Sequence, residues 1–587
     1  MPLINMHWLA IVGGLLAAMF LLLVPAIIRT GRKPSRSARA VLRLADALAF
    51  PARLLSVLHT GDVRMHVLWT VIGTVLLCVA AGNLPWPDMP PLTTAPIAAR
   101  ATAQSDHVEI VAAWPQLALV AAAVLGLLAK VVLGRRAFWP TLVLVLAGLV
   151  TAGATLVQLY DPLSSEWHDM MGLMRLDPFA VFGQLALLAV SAVMVAASLF
   201  EIRRMGDRRA DFLVTLILAA TGATIAVSAT DLLTLYTGLA LMMLCNTILL
   251  GMQSHDASAT EAAMKHFLAG MVAFALLLFG VALVYAASGD TQYDGVAEGL
   301  TRLVAAGQGP IGLASAGLAL VLAGMALLVG LVPFHMHVPD TYQGAPAPSV
   351  GFLVSVPTMA AVLVLVRLLK GPFAVVVDVA RPIVLVLGIV SLVGGALLAT
   401  VQSDPRRTVG HLAACLVGIT LILIAGTGMV GIEQQTEYVQ EAFALALLLT
   451  TMLFALCGVA TAALCDVDLD APATDRRTAV RRTVASGPTF ILALACLALA
   501  AVVLYMGGPG GKIELPSIAR SMVVAALVLA ASRFTILFWR LSQKTSASVP
   551  MSAKVIAAAI LLGLVAAAGA GALCAGHIIN AVTAMWP

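Results

Sequence analysis

Apolar residues run along this chain in unbroken blocks, with neither the period-two alternation of a barrel strand nor the single stripe of a soluble helix. A block of about 20 such residues crosses a hydrocarbon layer of roughly 30 Å as an α-helix. In lipid every backbone amide must pair within its own segment or around a closed barrel, and barrel strands alternate apolar and polar. Stretches such as 115–130 and 444–464 are apolar on every face, so the predicted fold is an all-α polytopic membrane protein. The blocks place about sixteen spans, beginning near 7, 66, 115, 139, 178, 211, 230, 262, 311, 347, 382, 408, 439, 487, 519 and 555.

Composition agrees. Hydrophobic residues make up 61% of the 587 and charged residues 11%, with a mean hydropathy of +1.02. A soluble domain carries roughly a quarter charged residues, so a water-soluble fold is excluded. The net charge of +5 and pI near 8.9 do not point to nucleic acid, because the basic residues sit in short loops beside helix ends. Segment 29–64 carries Arg29, Arg32, Lys33, Arg36, Arg39, Arg43, Arg53 and Arg64. Further basic loops are 130–136, 202–209, 403–407, 476–482 and 534–544. With about sixteen spans they all fall on one side, which the excess of Lys and Arg marks as the cytoplasm, leaving both termini outside. Arg367 and Lys370 fall on the other side, as snorkelling residues at a helix end. Segment 29–64 reads either as an amphipathic surface helix or as a plain basic loop. The first apolar run, 8–28, reads as a retained anchor. The seven cysteines, Cys78, Cys245, Cys415, Cys457, Cys465, Cys496 and Cys574, form no cluster and read as small core residues, with no metal site in view.

Prolines interrupt the pattern most sharply at Leu331-Val-Pro-Phe-His-Met-His-Val-Pro-Asp340 and the following Thr341-Tyr-Gln-Gly-Ala-Pro-Ala-Pro348. Each of Pro333, Pro339, Pro346 and Pro348 lacks an amide donor and disfavours helix continuation. The residues leave two readings, a broken helix covered by protein or a proline-rich loop at the surface. The segment resembles the P-F-H-x-x-x-P-D-x-Y-Q-G-A-P-A-P signature of the N subunit of bacterial NADH:quinone oxidoreductase, respiratory complex I. Pro333, Phe334, His335, Pro339, Asp340, Tyr342, Gln343 and Gly344 carry the match. Asp231-Leu-Leu-Thr-Leu-Tyr-Thr-Gly-Leu239 and Glu261-Ala-Ala-Met-Lys-His-Phe-Leu268 resemble two further motifs of the same family, in the same order.

The resemblance covers about residues 115–580 and implies an antiporter-like core of about fourteen helices with inverted repeats and interrupted helices. It divides the chain into an N-terminal extension, 1–110, with two extra helices and a basic loop, and the antiporter-like domain, 111–587. It implies a divergent membrane-arm subunit, multi-pass in the bacterial inner (plasma) membrane, beside other complex I membrane subunits and lipid. NADH, flavin, iron–sulfur clusters and quinone are expected in partner subunits and none of them in this chain, which shows no nucleotide-binding glycine pattern. This leaves no redox centre to make the chain an enzyme except as part of such a translocase.

In that family proton movement is attributed to a buried Glu and to Lys residues on neighbouring helices, groups whose protonation depends on burial and partners. The Glu position falls here on Ala240, and two Lys positions fall on Leu328 and Thr358. Lys265 matches a family lysine and reads either as a proton-handling group or as a snorkelling residue about two turns inside its helix. Lys512 reads either as a later family lysine or as a hairpin-loop residue. With Lys265, His335 and Asp231 complete the candidate proton pathway. For His335, and for His266, His337 and His411, proton hand-over near neutral pH competes with a satisfied polar residue at a helix end. Asp231 and Asp340 also read as helix caps, and Arg406 and Arg407 as topological charges. The missing charges predict a degenerate proton pathway. A structural or docking paralogue and a cation/proton antiporter subunit are the alternatives.

Overall fold

The computed structural model describes residues 110–160, 168–202, 205–253, 256–306, 311–402 and 404–427. These form the helices α1 (Trp114–Leu133), α2 (Phe138–Leu159), α3 (Pro178–Ile202), α4 (Arg209–Ser228), α5 (Leu232–Leu250), α6 (Ala257–Ser288), α7 (Tyr293–Ala306), α8 (Ile311–Val329), α9 (His337–Gly344), α10 (Ala347–Lys370), α11 (Val377–Val401) and α12 (Pro405–Thr427). Every span start expected between 115 and 408 lies within a few residues of the head of one of them. The spans expected near 7, 66, 439, 487, 519 and 555 lie outside the described residues, as do the 29–64 segment and Lys512.

Three elements leave no mark in the apolar blocks. One is a hairpin of β1 (His168–Met170) and β2 (Met174–Leu176), paired antiparallel with His168 opposite Leu176. The others are the short helices α7 and α9. The hairpin closes one end of the bundle: Thr230 donates its amide to the Leu173 carbonyl, and the Tyr293 amide donates to the Thr230 carbonyl.

Position in the bundle varies widely among equally apolar helices. In the span 111–136 only 22% of the hydrophobic window is buried, against 94% for Ala347–Lys370, so α10 is the central post and α1 a peripheral helix. Close crossings use glycine. A Cβ on Gly222 of α4 would stand 2.7 Å from the Gly238 carbonyl of α5, and one on Gly280 of α6 would stand 2.8 Å from the Gly317 carbonyl of α8. In lipid, where apolar side chains gain little by leaving their surroundings, such backbone proximity supplies the packing between helices.

The proline-rich segment is a broken helix inside the protein. α8 stops at Val329, Gly330 turns left-handed at φ +74°, and Phe334–Met336 make one 3-10 turn before α9. The freed amides are satisfied locally: Leu331 donates to the Ala326 carbonyl and Val332 to Ser391 Oγ of α11. Pro339 lies in the first turn of α9 and Pro348 in that of α10, where a missing N–H costs nothing. Phe334 to Tyr342 are all buried. The surface-loop reading is therefore corrected: backbone this irregular is retained at depth because neighbouring helices cover it.

Candidate functional site

The broken helix meets α6 and α12 at the end of the bundle that carries the described basic loops. Asp340, in the first turn of α9, has a side chain only 4% exposed. Its two oxygens face two cations: Lys265 Nζ of α6 stands 3.1 Å from Oδ2, and Arg407 Nη2 of α12 stands 2.9 Å from Oδ1. Lys265 also pairs with Glu261, one turn earlier, at 2.8 Å. A second layer secures the segment from outside. Gln343 donates from Nε2 to Asp404 at 2.9 Å and accepts from Arg407 Nη1 at 3.1 Å, and Arg406 Nη1 donates to the Gln343 carbonyl at 3.0 Å.

Several expectations change here. Asp340 does not cap a helix; with two cations in reach, its carboxylate is held by charge. Lys265 does not snorkel outward, since its side chain is 17% exposed and turns toward Asp340. Arg406 and Arg407 brace the broken helix in addition to lying in a basic loop. Asp231 keeps the capping geometry, accepting from the Leu233 and Thr234 amides at 2.9 Å each.

Inward from this clamp lies a cavity of about 40 Å³. A buried water needs roughly 10–15 Å³ measured in this way, so the space is large enough to admit water. Leu328 and Thr358 both line it, with Asn246 of α5, His266 of α6 and His337 of α9. Ala240, half-buried on α5, is not among the lining residues. The Thr358 hydroxyl is committed within its own helix. Pro357 cannot donate to the carbonyl four residues back, and Thr358 Oγ1 donates to that Leu353 carbonyl at 2.9 Å. His337 donates from Nδ1 to the Phe334 carbonyl at 3.2 Å. His335 and His411 are buried with ring centroids 5.8 Å apart. The structure thus groups His266 with His337 and His335 with His411, while Asp231 lies at the other end of α5.

At that opposite end Arg367 corrects the snorkelling expectation. Its guanidinium is 7% exposed, grips Asp177 through Nη1 at 3.0 Å and Nη2 at 2.9 Å, and donates from Nε to the Ala229 carbonyl at 2.8 Å. A bidentate carboxylate inside outweighs water outside. Nearby, burial opposes the Arg175 cation, yet its hydrogen bond to Asp169 and the charge of Asp294 raise its pKa. Burial pushes the Tyr293 phenol up. Sequence alone missed Asn246 and Asp177, since neither stands in a motif. Among the described residues no group of three His, Cys, Asp or Glu could hold a metal ion.

Residues 229–538, more than half of the chain, match the family model described as "NADH:quinone oxidoreductase/Mrp antiporter, TM". Similar curated proteins include the NADH-quinone oxidoreductase subunit N of Paramagnetospirillum magneticum, 36% identical over 290 residues that cover 49% of this chain and 58% of that protein. Subunit N of Rhodospirillum rubrum is 34% identical over 254 residues, covering 42% and 51%. The chain therefore spans a little over half the length of these relatives. The fold is similar to a chain of respiratory complex I from Thermus thermophilus (TM-score 0.59, 23% identity, 80% of this chain and 99% of that one). It is also similar to a chain of the Mrp complex from Dietzia sp. (TM-score 0.59, 15% identity, 81% and 96%). By the match over more than half its length, with the broken helix and its clamp inside the matched region, this chain belongs to the NADH:quinone oxidoreductase/Mrp antiporter transmembrane family.

Proposed function

We propose that the chain is an N-type membrane-arm subunit of a complex I-like NADH:quinone oxidoreductase in the bacterial inner membrane. Hydride and electron transfer, with NADH, flavin, iron–sulfur clusters and quinone, belong to its partner subunits. The observation that carries this reading is the signature segment 333–344, a broken helix buried from Phe334 to Tyr342 and braced by Lys265, Arg406 and Arg407. The relatives that match the chain are named as subunit N.

The clamp end faces the cytoplasm in this reading, because Lys130, Arg135, Arg208 and Arg407 all lie there, and both termini lie outside. The lysine-based proton pathway is degenerate. Leu328 and Thr358 meet at the cavity without a charge, Ala240 replaces the carboxylate, and Lys265 serves Asp340 as a fixed counter-ion. The same uncharged positions favour a second reading, a structural paralogue that keeps the packing and docks neighbouring subunits. An antiporter working alone fits less well, because it depends on the missing charges.

Affinity purification of the tagged full chain from mild-detergent extracts tests the leading reading. Other complex I subunits are expected to co-purify; recovery of a different assembly, or of the chain by itself, would overturn it.

A further inference from the structure

We propose that the cavity beneath α9 is a hydrated proton-holding site whose titrating group is the imidazole of His266. Two atoms on its wall call for a ligand: His266 Nε2 and Asn246 Oδ1 are buried with no hydrogen-bond partner. Asn246 is 3% exposed, so bulk solvent does not serve it. Buried polar groups are almost always satisfied, and a space of about 40 Å³ between them admits ordered water. A water donating to Asn246 Oδ1 and to His266 Nε2 satisfies both atoms at once.

The neighbours single out the imidazole. α5 contributes Asn246, α8 contributes Leu328 and α10 contributes Thr358, and nothing that these three helices present to the cavity titrates. α9 contributes Tyr342, whose phenol ordinarily titrates near 10, and His337, whose Nδ1 is committed to the Phe334 carbonyl. The nearby charges, Lys265 and Glu261 on α6, Asp340 on α9 and Arg407 on α12, pair with one another. They leave no fixed counter-charge on the cavity wall. Of the two imidazoles on the wall, His266 is the one whose buried Nε2 has no hydrogen-bond partner in the protein, so it gains and loses a proton there without breaking a protein contact. The proton arrives through water, binds the Nε2 lone pair to give the imidazolium, and returns to water; no other bond forms or breaks. The bearing of this site on proton traffic rests on the reading of the chain as an antiporter-like subunit, while the site itself does not.

The test is solid-state NMR of the full chain, labelled with 15N-histidine, in lipid nanodiscs. The expected result is that the His266 imidazole, assigned as the resonance missing from His266→Tyr, changes protonation between about pH 4 and 9 and shows a cross-peak to water. His266→Tyr removes that signal. Asn246→Leu weakens the water cross-peak while the His266 resonance remains, and covers the case in which the tyrosine variant fails to fold. A His266 ring that stays neutral over the whole range, or shows no water contact, overturns the proposal. Failure of the co-purification above would remove complex membership and leave this result standing.

Discussion

At the clamp, Asp340 is 4% exposed and meets Lys265 and Arg407 through separate oxygens, whereas at the cavity Leu328 and Thr358 line the wall without a charge. Both regions belong to the same broken helix and its neighbours. Where charge persists it is fixed in pairs, and pairing holds a proton inventory constant because each partner stabilises the other's ionised form. Where charge is absent, the groups left are neutral amides, hydroxyls and imidazoles. A buried ion is thus no sign of proton traffic by itself; its partners decide.

Substitutions can break that contrast. Asp340→Ala takes the shared carboxylate from two cations that are less than a quarter exposed, leaving Lys265 with Glu261 and Arg407 with Gln343, and a loss of about 3 kcal/mol is expected, read as a lowered unfolding temperature in detergent. Arg367→Ala, at the opposite end, takes the guanidinium from the Ala229 carbonyl and from Asp177, which keeps the Ala180 amide as a donor. The expected cost is about 1.5–3 kcal/mol by the same assay. Lys265→Ala leaves Asp340 with Arg407 and is expected to cost less than Asp340→Ala. Under the proposed function, quinone-coupled proton pumping by vesicles carrying the variant complex should be largely unchanged, and loss of most pumping would make Lys265 a carrier. Glu261→Ala removes a partner that is 67% exposed and should change stability by no more than about 0.5 kcal/mol. If it matched Asp340→Ala, the ranking of paired charge by burial would fail.

Much of this architecture was legible from apolar blocks, because a helix in lipid needs only length and hydropathy to declare itself. The elements missed have physical reasons. α7 and the β1–β2 hairpin are short and mixed in polarity, and hydrogen bonds to Thr230 and its neighbours hold the hairpin in place. The proline signature announced a break in the helix but not its depth. The site was read in part: Lys265, His335 and Asp340 stood in motifs, while Asn246 and Asp177 stood in none and gained meaning only from what faces them.

The sequence by itself determined that the chain crosses a membrane as helices, where the described ones begin, and that the signature region could not be continuous helix. Those properties follow from local hydropathy and from the missing amides of proline. The tertiary structure decided which apolar helix is central, that Arg367 and Lys265 turn inward, that Thr358 repairs the carbonyl freed by Pro357, and that His266 and Asn246 share a cavity. Most of these depend on a partner far away in the chain, and local pattern carries no record of that distance.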